Sequence, residues 1–155
     1  MGGKGVVLAE TRKAARAVMQ AFYVEGVSFL VQEYIEESAG SDIRAFVVNG
    51  KVVASMKRQS LDDDFRSNIA QGGEGAPIKL TDEERKTAQK AARTMGLSIA
   101  GVDIVRSNRG PLVLEVNSSP GFKIEKVTGQ NVTAPILDYI EQNAKGKQRK
   151  DRVGA

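Results

Sequence analysis

The 155-residue chain contains no cysteine and no histidine. Those two absences exclude thiol nucleophiles, thiolate zinc sites, imidazole general bases and Ser-His-Asp triads. Any metal must then be held by oxygen, which favours a hard cation such as Mg²⁺. The lack of cysteine also fits a reducing compartment, so a cytoplasmic location is expected. Aromatic residues make up only 5% of the chain, too few for a stacking platform that binds single-stranded nucleic acid. No run approaches the roughly 20 apolar residues needed to cross a bilayer, and Met1 to Glu10 lacks the apolar stretch of a secretory signal. Neither a membrane nor a nucleic acid is expected as a partner.

What is present is the profile of a globular protein, 41% hydrophobic and 27% charged, sized for one compact domain or two small lobes. The net charge is +4, and a mild positive balance suits anionic ligands. Part of it lies in Lys145, Lys147, Arg149, Lys150 and Arg152. Residues 145–155 therefore read as a solvated, disordered basic tail.

Along the chain, Val6-Val7-Leu8 reads as a short buried strand. Thr11 is placed to cap a helix running to about Phe22, with Ala14, Ala15, Val18, Met19 and Phe22 on one face. Ser28 to Ile35 reads as a strand ending in polar residues, and 36–41 as a loop. Asn49-Gly50 between the β-rich runs 42–48 and 51–58 is a hairpin signal, since both residues tolerate positive φ. Ser60 to Pro77 reads as a long polar loop of the kind that usually carries function. Thr81 and Glu84 form a capping box opening a helix to Met95, stopped by Gly96. Strands are expected over 99–106 and 112–117, with a turn at 107–111. A last helix is expected from about Ala134 to Ala144, with Ile136, Leu137 and Ile140 inward. The class is α+β, an antiparallel sheet with helices packed on one face.

Chemistry concentrates in the final two strands. Glu115 and Asn117 share a face because side chains alternate, and a hairpin symmetric about Arg109 sets Asp103 opposite Glu115. Val102, Ile104, Leu112, Leu114 and Val116 then go to the core. Facing carboxylates repel each other unless something neutralises them. A divalent cation would do so, and all three side chains offer oxygen. A solvated face with nearby Lys or Arg would do so too, and spacing alone leaves both readings open. Gly2-Gly3-Lys4-Gly5 could wrap phosphates or form a loose terminus; it is not a Walker loop. Arg66 and Asn68 could reach an anion, whereas Asp62, Asp63 and Asp64 read as solvated.

Seven ordered motifs resemble the ATP-grasp superfamily and, within it, the RimK family of glutamate ligases. They are Gly-Lys-Gly-Val-Val-Leu-Ala-Glu (3–10), Val-Gln-Glu-Tyr-Ile (31–35), Asp-Ile-Arg (42–44), Asp-Phe-Arg-Ser-Asn (64–68), Gly-Gly (72–73), Ala-Gly-Val-Asp-Ile (100–104) and Leu-Glu-Val-Asn-Ser-Ser-Pro-Gly (114–121). The resemblance implies that Gln32, Glu33, Tyr34 and Ile35 hold adenine, and that Asp42 lies near the ribose. It implies that Arg66, Ser67 and Asn68 meet the phosphates, with Arg66 and Asn68 catalytic. Asp103, Glu115 and Asn117 would bind two Mg²⁺ ions, Mn²⁺ being an alternative, with Glu115 bridging.

The activity so implied joins a carboxylate to an amine through an acyl phosphate, by positioning and charge neutralisation. ATP, glutamate or another amino acid, and a peptide or protein C-terminus are the implied partners; a homo-oligomer is left open. The family pattern also includes an upstream domain and an upstream nucleotide-binding lysine. By that pattern residues 1–35 are a remnant of the central lobe and 36–144 the C-terminal lobe. The chain then looks like a fragment, and the competing reading is a truncated, non-catalytic nucleotide-binding module.

Overall fold

Asn49 and Gly50 take φ of 48° and 72°, the left-handed pair that a type I′ turn requires. They join β1 (Ser41–Val48) to β2 (Lys51–Gln59) as expected. The computed structural model describes residues 5–38, 40–60 and 74–144. The remaining elements are α1 (Arg12–Val24), β3 (Glu74–Pro77), α2 (Asp82–Thr94), β4 (Ile99–Ser107), β5 (Gly110–Asn117), α3 (Lys123–Thr128) and α4 (Thr133–Asn143). The strands form one antiparallel sheet in the order β3-β2-β1-β4-β5. The class is thus α+β, with β1 at the centre.

Residues 45–48 of β1 are buried without interruption, so this strand is covered on both faces. Ile43, Ala45 and Val47 join Ala100, Val102 and Ile104 of β4 under Ala88 and Ala92 of α2. Phe46 and Val48 join Ala54 and Met56 under Ile124 of α3 and Val132. Helices therefore pack on both faces of the sheet and not on one. The capping box holds: Thr81 Oγ1 accepts from Glu84 N at 3.2 Å, and Glu84 Oε2 accepts from Thr81 N at 2.8 Å.

Other expectations are corrected. Val6, Val7 and Leu8 form no strand, and Val6 and Val7 are exposed. Residues 28–35 form no strand either: the segment lies beside edge strand β5, but among the described residues no backbone ladder joins the two. Helix α1 begins at its Thr11 cap, yet buries none of its residues; Ala15, Val18 and Phe22 are half-buried while Ala14 and Met19 are exposed. The 74–77 end of the expected loop is strand β3, paired with residues 56–59 of β2. Helix α3 escaped sequence reading, being six residues long with no side-chain cap. In α4 the inward residues are Ile136 and Tyr139, whereas Leu137 and Ile140 are about half exposed. The loop residues 61–73, the glycines at 2 and 3 with Lys4, and the tail 145–155 lie outside the described residues.

Candidate active site

Two β-bulges build the site. Near the turn, β5 pairs with β4 as Ser107↔Gly110 through Ile104↔Val113, a register that would set Asp103 opposite Leu114. One extra residue, Leu114, shifts the pairing, and Asp103 meets Glu115 with Asn117 opposite Gly101. The hairpin is therefore not symmetric about Arg109 at its tip, and Leu114, 37% exposed, does not enter the core. In the first hairpin Val47↔Val52 gives way to Phe46↔Ala54, with Val53 the extra residue. That shift sets Asp42 opposite Arg58 instead of Lys57. Without the bulges, Glu115 and Arg58 would turn to the face of the sheet beneath α2.

The bulges thus bring Asp42, Arg44, Arg58, Asp103, Glu115 and Asn117 to one face. Asp103 is 2% exposed. Its Oδ1 accepts from Arg44 Nε at 2.7 Å, and its Oδ2 from Arg44 Nη2 at 2.6 Å. Arg58 Nη2 stands 2.8 Å from the same Oδ2. Arg58 also donates through Nε to Asp42 Oδ1 at 2.6 Å, and its Nη2 pairs with Asp42 Oδ2. Arg58 and Asp42 are both buried. Burial pushes the Asp103 carboxyl up, but the Arg44 hydrogen bonds and the charges of Arg58 and Arg44 outweigh it and hold it below the ordinary range. Burial likewise disfavours the Arg58 cation, and Asp42 and Asp103 more than reverse that.

Glu115 is different: its side chain is 60% exposed, with Arg44 Nη2 at 3.7 Å. Asn117 Nδ2 donates to Glu115 Oε1 at 3.0 Å and to Gly101 O at 3.4 Å. Gly101 has a second role, since a Cβ there would come within 2.8 Å of Pro120 Cβ. Its absence lets the 118–121 loop fold over the end of β4 beside Asn117.

The expected adenine segment runs beside the outer edge of this hairpin. Gln32 Nε2 donates to Leu114 O at 3.5 Å, and Glu33 Oε2 accepts from Arg109 Nη2 at 2.8 Å. Ile35 is buried and its carbonyl accepts from Ser38 Oγ, while Tyr34 is 44% exposed. Glu37 Oε1 accepts from Asn108 N at 2.9 Å, a bond that keeps its carboxyl below the usual range. Asp42 belongs to the arginine network, with both oxygens on Arg58. Arg66, Ser67 and Asn68 lie outside the described residues. Sequence reading missed Arg44 and Arg58. The signal available was charge at alternate positions in Asp42-Ile43-Arg44; Lys57 and Arg58 are adjacent, and only the shifted register selects Arg58 to face Asp42.

A divalent cation needs free oxygen lone pairs. Glu115 and Asn117 meet that need as they stand. Asp103 does not, because guanidinium groups hold both of its oxygens. The charge that spacing left unassigned on this face is supplied by arginine. Among the described residues no three of His, Cys, Asp and Glu converge on one point.

Residues 1–140 match the model of the RimK-like ATP-grasp domain. This chain belongs to that family. It is 57% identical over 151 residues to a probable alpha-L-glutamate ligase of Aliivibrio fischeri (strain MJ11), covering 97% of the chain and 50% of that relative. A second such ligase, of Picosynechococcus sp. (strain ATCC 27264 / PCC 7002 / PR-6), is 55% identical over 152 residues with the same coverage. The chain spans about half the length of these curated relatives. Among solved structures, D-alanine–D-alanine ligase from Bacillus anthracis aligns with 91% of the chain and 51% of its own at a TM-score of 0.56 and 16% identity, a likeness of fold alone. The ATP-grasp ligase PsnB complexed with minimal precursor aligns with 66% of the chain and 34% of its own, at a TM-score of 0.54 and 26% identity. Among the described residues no helix is long and apolar enough to cross a membrane.

Proposed function

We propose that this family member supplies the nucleotide- and metal-binding part of an ATP-dependent ligase that adds glutamate to a peptide or protein C-terminus. The observation that carries the reading is the pairing of Asp103 with Glu115, Asn117 lying two residues on along the same face. The names of the curated relatives support glutamate as the amino acid. In this reading residues 1–35 belong to the nucleotide-binding lobe and 36–144 to the C-terminal lobe.

A substrate carboxylate attacks the γ-phosphate of ATP and ADP leaves as the β,γ P–O bond breaks; an amine then attacks the acyl phosphate, phosphate leaves, and loss of the amine's proton gives the amide. Glu115 and Asn117 would hold Mg²⁺, and Asp103 would join them once its oxygens are released from Arg44 and Arg58; two ions are proposed, with Glu115 serving both. A divalent cation held by these residues would supply charge neutralisation for phosphoryl transfer. Gln32 to Ile35 position adenine beside β5, and Arg66, Ser67 and Asn68 meet the phosphates. No imidazole or thiol is required, in keeping with a chain that has neither.

A second reading, a nucleotide-binding module inactive by itself, is favoured by one observation. Val24, Val27, Leu30 and Val31 are at least half exposed, so the apolar surface of this segment lacks a cover among the described residues. One assay separates the two. Mg-ATP, glutamate and a peptide acceptor are supplied, and ADP release and peptide mass are followed. Glutamyl addition with matching ADP release supports the ligase. Saturable nucleotide binding with neither product supports the module.

A further inference from the structure

We infer that Arg44 and Arg58 gate Asp103, so that in the absence of another anion a divalent cation binds through Glu115 and Asn117 alone. The inference deepens the metal reading above and rests on it.

The two carboxylates of the register pair stand in opposite states. Asp103 is 2% exposed and receives three guanidinium contacts of 2.6 to 2.8 Å. Glu115 is 60% exposed, and its guanidinium neighbour is 3.7 Å away. A cation shared by both carboxylates would stand beside the Arg44 guanidinium, which touches each of them. Like charges so close repel, and a partly buried site screens them little. One of the cations must yield. Arg58 cannot move into water: it is 4% exposed and clamped by Asp42. Arg44, with a side chain 17% exposed at the rim of the site, is the movable member. A guanidinium leaving a buried carboxylate needs a new partner, since an uncompensated charge is costly. Cation and anion binding are thereby coupled: an anion that draws Arg44 away frees Asp103 for the metal.

The test uses Mn²⁺ alone, with no nucleotide, followed by the loss of its free paramagnetic resonance signal on titration with the intact chain. Glu115→Gln, which removes a ligand, is expected to weaken Mn²⁺ binding about tenfold or more, while Asp103→Asn, which removes charge but no ligand, weakens it clearly less. Arg44→Met is expected to tighten binding about tenfold, and Asp103→Asn added to Arg44→Met removes that gain. The gate is overturned if Asp103→Asn weakens binding as much as Glu115→Gln, in which case the metal site stands without it. It is overturned too if folded Arg44→Met binds Mn²⁺ as the wild type does. Should Arg44→Met fail to fold, the comparison of Asp103→Asn with Glu115→Gln decides alone. If neither wild type nor Arg44→Met binds Mn²⁺, the metal reading falls and the gate falls with it.

Discussion

The two faces of the central sheet use the same strands for opposite ends. On β4, Ala100, Val102 and Ile104 point beneath α2, and each is fully buried in apolar surroundings. The alternate residues include Gly101 and Asp103, which carry a close backbone approach and a charged network. Burial is almost as complete on both sides, with Asp42, Arg58 and Asp103 at 5%, 4% and 2% exposure. Burial alone therefore does not separate a structural face from a functional one. The first face is stabilised by area removed from water, roughly 25 cal/mol per Å². The second is apolar around Phe46 and Met56, but at Asp42, Arg58 and Asp103 it sets the cost of burying charge against ion pairing, and such pairs are often replaceable by apolar groups without loss of stability. A sheet that needed only stability would carry the first kind of residue on both faces.

The contrast is broken most forcefully at Arg58. Arg58→Met leaves the buried Asp42 without its partner and Asp103 with Arg44 alone, so about 3–5 kcal/mol of stability should be lost. Double substitution to an apolar pair at 42 and 58 should recover much of that loss, as measured by urea unfolding. Equal losses in single and double variants would mean that the pair stabilises in its own right. On the other face, Ile104→Ala should cost about 2–5 kcal/mol through the cavity it leaves. Mn²⁺ affinity per folded molecule should be unchanged, whereas a fall would couple the apolar face to the site.

Acid sharpens the comparison further. Asp103 is pushed up by burial and pulled down further by Arg44 and Arg58, so its folded value lies below its unfolded one. Glu84 shows the same balance, with burial opposed by Arg106 and the Thr81 backbone. Both carboxylates then add stability above their unfolded values, about 4, and lose it as pH falls through the folded ones. The urea midpoint should be level from neutral pH down to about 5 and then decline. The decline should be shallower in Asp103→Asn; an identical acid limb would mean that Asp103 is not the titrating group.

Local rules made much of this architecture legible. Asn49-Gly50, the Thr81–Glu84 box and Gly96 each announce an element, and each element is there. The Asp103–Glu115 pairing was legible too, although by an argument correct only beyond Leu114. A hairpin symmetric about Arg109 gives this pair directly, and the actual one reaches it through the bulge at Leu114. Bulges leave no reliable mark in sequence, so Arg58 opposite Asp42 was not foreseeable from Asn49-Gly50, whose uninterrupted register pairs Asp42 with Lys57. The segment 28–35 failed for another reason. Ser28 to Ile35 has strand composition, but a strand is a relation between chains, and among the described residues its backbone forms no ladder with β5 beside it. In α4 the spacing gave three inward candidates, yet the helix leans on Ile136 and Tyr139. Tyr139 is anchored by its hydroxyl to Ser98 Oγ at 2.7 Å.

If the charged face binds a metal–nucleotide complex as proposed, Glu115 is the residue whose loss should show it most plainly. Glu115→Gln keeps the shape of the side chain and removes one of two facing carboxylates. The decisive measurement is Mg-ATP affinity of wild type and Glu115→Gln by calorimetric titration, with melting temperature recorded in metal-free buffer. The variant should lose Mg-dependent nucleotide binding while its melting temperature stays level or rises. Wild-type affinity in the variant, or a loss of affinity matched by a loss of melting temperature, would contradict it.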